Sequence, residues 1–245
     1  MRVVVMSYTG TIGKTALAVN MLFPRMLGVK FISVETINQA ADALGVDIEH
    51  KLEGDDFDVV FAALLRNNDL LIDVGASNVQ KFLDEMARDE NAHEEFDMFV
   101  VPITPGTKEQ TEAINFIDTL AAMNVPPEKI RVIFNKVSKR GVEKDFAPIL
   151  GYAQSTGNCI ADPRVAVSED KIFDIATRNF TSIAAVLESK KDYVSEFREA
   201  KNLSPEDEAR LFDMVQIKRV GPGVMRKLDH AFAALFESYT ADILH

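Results

Sequence analysis

Five short runs of the chain are almost wholly apolar and rich in β-branched residues: Arg2–Met6, Lys30–Val34, Leu70–Asp73, Met98–Ile103 and Ile130–Asn135. None alternates polar with apolar residues. Unbroken runs of this kind suit strands covered on both faces, which means a parallel sheet with helices on either side. Helical patterns fall between the runs. One starts at Lys14 and is expected to stop before Pro24, because a proline in a helix interior clashes with the preceding turn. Others are predicted over Asn38–Leu44, Phe57–Arg66, Val79–Glu90, Lys108–Met123 and Val142–Ser155. The alternation covers roughly residues 1–190 and predicts an α/β domain: a three-layer, doubly wound, mostly parallel sheet.

Residues 191–245 carry no strand signal and read as a helical carboxyl-terminal extension packed on that domain. Ser204-Pro205-Glu206-Asp207 is a helix start, with Ser as N-cap, Pro at the first helical position and acids in the first turn. Gly221-Pro222-Gly223 is expected to break the chain before a last helix near Met225–Tyr239.

Composition narrows the setting. The chain has 245 residues, with 27 Lys+Arg against 38 Asp+Glu and a net charge of −11. Cys159 is the one cysteine, so an internal disulfide and a cysteine-pair zinc site are both excluded. The amino-terminal apolar run is too short for a signal peptide, and no stretch approaches 18 uninterrupted apolar residues. A cytoplasmic location is therefore expected. The acidic balance speaks against a whole-surface nucleic-acid binder but not against a local basic patch.

The most specific chemistry lies in Gly10-Thr11-Ile12-Gly13-Lys14-Thr15, between the first strand and the first helix. Backbone N–H groups of such a loop can wrap phosphates, and the helix N-terminus adds partial positive charge. Lys14 would reach the phosphates and the Thr15 hydroxyl would hold Mg²⁺. The full phosphate-loop pattern has a glycine where this chain has Tyr8, so the match is incomplete; the alternative is a glycine turn with a lone surface lysine. Asp73 ends a buried strand, as an aspartate serving the Mg²⁺ shell would, although an Asp capping a strand is common. Val74-Gly75-Ala76-Ser77 then forms a turn suited to a switch near a terminal phosphate. Asn135, at the end of another strand, can donate to and accept from a purine edge, or simply form a turn.

These residues resemble the ParA/MinD family of deviant-Walker P-loop ATPases. The loop Gly10–Thr15 continued by Ala18-Val19-Asn20 is similar to that family's first motif and helix. The segment from Gly28 to Gln39, with Glu35 after its strand, resembles the second strand and acidic loop. Asp73 is similar to the Walker B aspartate, Pro102-Ile103-Thr104-Pro105 to a proline-bounded strand end, and Asn135 to the adenine-contacting Asn. Pro163-Arg164-Val165-Ala166-Val167 resembles the late loop near the base. The resemblance implies ATP/ADP and Mg²⁺ as cofactors, with Lys14, Asp73 and Glu35 as the catalytic set. Gly10, Thr11, Ile12, Gly13, Lys14, Thr15, Asn135 and Pro163 would bind nucleotide, and Thr15 and Asp73 the metal.

Three departures modify that implication. The family's signature lysine, which reaches a partner subunit's phosphates, falls on Thr9. The catalytic aspartate of the second-strand loop falls on Ile37. Tyr8 replaces a loop glycine. Rapid hydrolysis and the usual nucleotide-sandwich dimer are therefore in doubt, whereas nucleotide binding is less affected. Size and divergence make the chain most similar to the StbB-type plasmid stability proteins, which implies a slowly hydrolysing switch in plasmid maintenance, DNA segregation or conjugative transfer.

The partner that this resemblance implies is a small DNA-binding protein, with a homodimer as a further option. Lys218, Arg219, Arg226 and Lys227 flank the Gly-Pro-Gly segment with no acid among them, and support at most weak, salt-sensitive contact with DNA phosphates. The last segment has no Lys or Arg beyond Leu228, whereas an interfacial membrane helix wants cations on its polar face. Its Phe232, Leu235 and Phe236 are expected to pack on the domain or on a partner. Two other readings stay open: a small-molecule ATP-dependent ligase or kinase, and a non-hydrolysing nucleotide-binding scaffold.

Overall fold

The computed structural model describes residues 1–35, 50–52, 56–88 and 91–243. Ile37 and the helix predicted over Asn38–Leu44 lie outside the described residues. In chain order the elements are β1 (Arg2–Val5), α1 (Lys14–Leu17), β2 (Lys30–Val34), β3 (His50–Leu52), α2 (Phe57–Arg66), β4 (Leu70–Val74), α3 (Val79–Arg88) and β5 (Met98–Ile103). They continue with α4 (Thr107–Ala122), β6 (Ile130–Val137), α5 (Val142–Asp145), α6 (Ala147–Thr156), β7 (Ala166–Ser168), α7 (Lys171–Arg178), α8 (Ile183–Glu188), α9 (Tyr193–Glu199) and α10 (Pro205–Ile243).

Among the described residues, seven strands form one sheet in the order β3-β2-β4-β1-β5-β6-β7, and every pairing is parallel. Strand parity divides its side chains between two cores. Val4, Met6, Ile32, Ile72 and Phe134 face a core built with α2, α3, α4 and α6. Val3, Val5, Phe31, Leu71 and Ile133 face a second core, built with α1, α7, α8 and α10. The result is the three-layer, doubly wound α/β fold that the sequence predicts. The chain reverses its direction of winding at β1, which is flanked by β4 and β5. In such sheets the ligand crevice opens at the carboxyl ends of the strands beside the reversal.

The first helix differs from its expectation. Lys14–Leu17 is α-helical, Ala18–Leu22 is a π turn, and Phe23–Arg25 is a 3₁₀ turn that contains Pro24. Pro24 sits where a short 3₁₀ turn needs no donor from it, so the chain coils past it. Asn20 is buried in the π turn, its amide nitrogen on the Ala16 carbonyl at 2.9 Å and its amide oxygen on the Ile183 N–H at 2.9 Å. The helix predicted over Val142–Ser155 is two, α5 and α6, meeting at Phe146.

The larger correction concerns Gly221-Pro222-Gly223, which does not break the chain: α10 runs through it for 39 residues. A proline in a helix interior costs ~3 kcal/mol. Pro222 itself is solvent-exposed, so its ring takes no space from the core. Ile217, Val224, Leu228, Ala231 and Leu235 are meanwhile buried in one stripe at helical spacing. Burial of each larger member contributes about 1.5–3 kcal/mol, which together outweighs the proline. Phe236 is buried and Phe232 packs against the same core, so these aromatic residues do dock on the domain.

Gly221 supplies the close approach. A Cβ there would meet Ile183 and Leu187 of α8 at 3.2 Å. Gly223 has only the end of Arg226, at 4.0 Å. Gly221→Leu is therefore expected to lower unfolding stability by about 1–3 kcal/mol through overpacking. Gly223→Ala should raise it by roughly 0.5–1 kcal/mol through helix propensity. Urea denaturation midpoints of the two variants check both signs.

Candidate functional site

Strand parity also decides which polar residues reach α1. Ser33, Asp73 and Asn135 share the parity of Phe31, Leu71 and Ile133, so they lie on the α1 face of the sheet, in the carboxyl-terminal halves of their strands. A cavity of about 930 Å³ opens there. Its floor is the loop from Gly10 to Thr15, and its walls include Ser33, Glu35, Gly75, Ala76, Ser77, Asn135 and Lys136. A volume of this size is within the range of small-molecule and cofactor sites.

The loop is pinned from inside and outside. Gly13 has φ 84°, a left-handed backbone that favours glycine, and a Cβ there would lie 3.0 Å from the Asn135 amide. Asn135 donates to the Ile12 carbonyl at 2.6 Å and accepts from the Lys136 N–H at 2.9 Å. It lines the cavity, and its amide is engaged with the loop rather than standing free. It is also inside β6, which runs on to Val137. Lys14 is buried, and its ammonium donates to the Thr9 carbonyl at 2.7 Å and, at 3.4 Å, to that of Ser7. Burial pulls the Lys14 pKa down, while the charges of Asp73 and Glu35 push it up.

Asp73 is 3% exposed. One carboxylate oxygen accepts from the Thr15 hydroxyl at 2.6 Å, and the other is buried with no hydrogen-bond partner in the protein. Burial pushes its pKa up to about 6, against the lowering effects of the Thr15 hydrogen bond and the Lys14 charge. A hydroxyl beside a carboxylate with an unused oxygen is an all-oxygen donor set that suits a hard divalent cation such as Mg²⁺, which keeps most of its own waters. The residues present therefore fit the metal.

Glu35 lies across the turn after β4. The Ser77 hydroxyl donates to it at 3.4 Å, and a Cβ on Gly75 would come within 2.0 Å of its carboxylate. Gly75 in turn donates its N–H to the Val34 carbonyl at 2.8 Å, so the predicted switch turn rests on the end of β2. Tyr8, where a loop glycine was expected, packs edge-on against Phe116 of α4 with centroids 5.0 Å apart. Its side chain leaves the loop for the opposite core, and it needs no left-handed backbone. The Thr9 hydroxyl donates to Glu112 at 2.6 Å.

One predicted residue is displaced. Pro163 is not part of the cavity; its neighbours Asp162 and Arg164 line a separate, smaller cavity of about 390 Å³ beneath α10. The far wall of the main cavity is built instead by Ser168, Glu169, Asp170 and Lys171, with Phe173, Asp174 and Thr177 of α7. Sequence reasoning missed these residues. The available signal was Asp170, which caps α7 by accepting from the Ile172 N–H at 3.0 Å, directly after the short strand β7.

A glycine loop between β1 and α1, a buried lysine, and a Thr–Asp pair at the winding reversal define the class: a P-loop nucleoside-triphosphatase fold. The fold is, more narrowly, that of the ParA/MinD-type P-loop ATPases. The chain is similar to MinD in the MinC:MinD cell division complex of Aquifex aeolicus, with 15% identity, 90% of this chain and 95% of that chain covered, and a TM-score of 0.51. It is also similar to the ParA family ATPase of Chlorobium tepidum TLS, with 14% identity, 77% and 94% covered, and a TM-score of 0.51. No protein-family model and no curated protein matches the chain. Among the described residues, no helix is long and apolar enough to cross a membrane.

Asp73 generates a pH prediction. Its folded pKa, about 6, lies above the ordinary 3.8. Between those values the folded state keeps a proton that the unfolded chain has lost, so stability falls as pH rises through that window and stays lower above it. Asp73→Asn removes the titration and keeps an acceptor for Thr15. Without ligand, it is expected to be more stable than the parent at pH 8 by roughly 1–3 kcal/mol. The gap should close towards pH 4. Denaturant melts across pH 4–8 check the sign and the window.

Proposed function

We propose that the protein is an ATP- and Mg²⁺-dependent molecular switch of the ParA/MinD type, which hydrolyses ATP slowly. The observation that carries this reading is the pairing of Thr15 with the half-satisfied, buried Asp73 beside Lys14, under a loop shaped by Gly13. Gly10–Gly13 would wrap phosphate oxygens with backbone N–H groups. The Lys14 ammonium, held on loop carbonyls, would exchange them for the more strongly attracting phosphates. Thr15 and Asp73 would hold Mg²⁺, which neutralises charge on the phosphates when bound. Glu35 faces the same space and is the available carboxylate for orienting a water. Asn135 and the α7 wall would border the base.

The switch would act through the turn from Gly75 to Ser77, which touches both Glu35 and the end of β2. Plasmid stability, DNA segregation or conjugative transfer, through a small DNA-binding partner, is the process this reading favours. A net charge of −11 favours a protein partner over naked DNA. The direct DNA contact is weakened as a proposal. The Gly-Pro-Gly segment is helical, so its N–H groups are not presented to phosphates. Lys218 donates instead to the Leu187 and Ser189 carbonyls at 3.0 and 2.6 Å. Arg219, Arg226 and Lys227 are solvent-exposed.

One observation favours a second reading, a non-hydrolysing scaffold. Thr9, at the position of the family's signature lysine, is committed to Glu112, so this loop carries no charge towards a partner's phosphates. The two readings separate in one experiment. MgATP is expected to raise the melting temperature, and Lys14→Ala to abolish the rise. Phosphate release that is slow, dependent on Asp73 and faster with the partner or DNA supports the switch; nucleotide binding with no release supports the scaffold. An unchanged ATP affinity in Lys14→Ala would overturn both.

A further inference from the structure

Lys136 occupies an unusual place in the sheet. The register of β6 against β7 runs Phe134 to Ala166, Asn135 to Val167, then Val137 to Ser168, so Lys136 is an extra residue in a β-bulge. Its backbone is left-handed, with φ 55°, which a lysine adopts only when its surroundings impose it. The effect on side-chain direction is visible in the neighbours. Phe134 and Val137 both face the α2–α6 core, although in a regular strand they would face opposite sides. Asn135 and Lys136 therefore both line the α1-side cavity, and their grips on the loop are consecutive: Asn135 on the Ile12 carbonyl at 2.6 Å, and the Lys136 ammonium 3.4 Å from the Thr11 carbonyl.

Two lysines thus contact backbone carbonyls of the phosphate loop, Lys14 that of Thr9 and Lys136 that of the exposed Thr11. The loop position where a second cation was expected is occupied by uncharged Thr9, which is bound to Glu112. Strained, non-glycine backbone of this kind is a pointer to function when it redirects a side chain into a site. We propose that Lys136 is a second phosphate-binding lysine, supplied in cis by the β6 bulge, which grips the bound nucleotide's phosphates in place of a cation from the loop or from a partner subunit. The inference rests on the nucleotide reading above and names a residue that reading does not use.

The test compares Lys136→Met, Lys136→Arg and Lys136→Gly with the parent by calorimetric titration of ATP and ADP, alongside ligand-free melting temperatures. A charge-assisted contact in a partly enclosed site predicts that Lys136→Met weakens binding about 10–100-fold. Lys136→Arg should recover most of that loss, and the parent's affinity should fall more steeply with salt than the Met variant's. Lys136→Gly suits the left-handed backbone, so it should melt no lower than the parent and yet bind as weakly as the Met variant. That combination separates a contact with phosphate from a mere strut on Thr11. Met and parent affinities within twofold, with Lys14→Ala inactive, would overturn this inference alone, as would equal losses in the Met and Arg variants. A parent protein that binds no nucleotide would overturn the nucleotide reading and this inference with it.

Discussion

A carboxylate buried with one oxygen unpaired, Asp73, is the constraint around which the rest is arranged. Leaving such a group dry costs energy that the surrounding structure must offset. Here the offset comes from the apolar strand that carries it: Leu70, Leu71, Ile72 and Val74 are fully buried between β1 and β2. The position of Asp73 is also decided there, because parity turns it towards α1 and the Thr15 hydroxyl. A sheet stable enough to tolerate that oxygen is what keeps an unsatisfied carboxylate at its centre.

The same economy governs the helix that follows the loop. A turn of π-helix admits Asn20 to the interior, where its amide closes on both α1 and the start of α8. Arg25 then donates to the Asn20 and Met21 carbonyls on one side and to the Met225 carbonyl on the other, and pairs with Asp229 at 2.7 Å. Asp213 of α10 accepts from Arg178 and Asn179 at the end of α7, the helix that walls the cavity. Both the loop's helix and the cavity's far wall are therefore tied to α10. The same long helix carries the exposed Arg219, Arg226 and Lys227 on its solvent side.

The architecture was legible because buried parallel strands announce themselves as unbroken apolar runs; five did so, and each is a strand. The two missed strands, His50–Leu52 and Ala166–Ser168, are three residues each, too short for any pattern. Gly221-Pro222-Gly223 misled because local breakers were weighed without the stripe from Ile217 to Leu235, whose spacing continues across them. Gly10–Thr15 and Asp73 could be placed in one site from the loop motif, the strand-end aspartate and the family resemblance. The α7 wall could not, since Phe173, Asp174 and Thr177 look like an ordinary amphipathic helix until β7 brings them to the sheet's edge. Lys136 stood beside Asn135 at a strand end, but its turn into the cavity was not legible: a bulge leaves no mark in a sequence, and only the register shows that parity slips there.

The uneven use of charge follows from this geometry. Excess acid keeps a site for an anion from being cationic overall, and the cavity itself carries Glu35, Glu169, Asp170 and Asp174 beside its lysines. Affinity for a polyanion then cannot come from the general field and must come from short, directed contacts: loop N–H groups and ammonium groups held at fixed places. On the proposed reading Lys14 and Lys136 would meet that demand, because each already donates to a loop carbonyl, where phosphate oxygens would replace a neutral acceptor with a charged one.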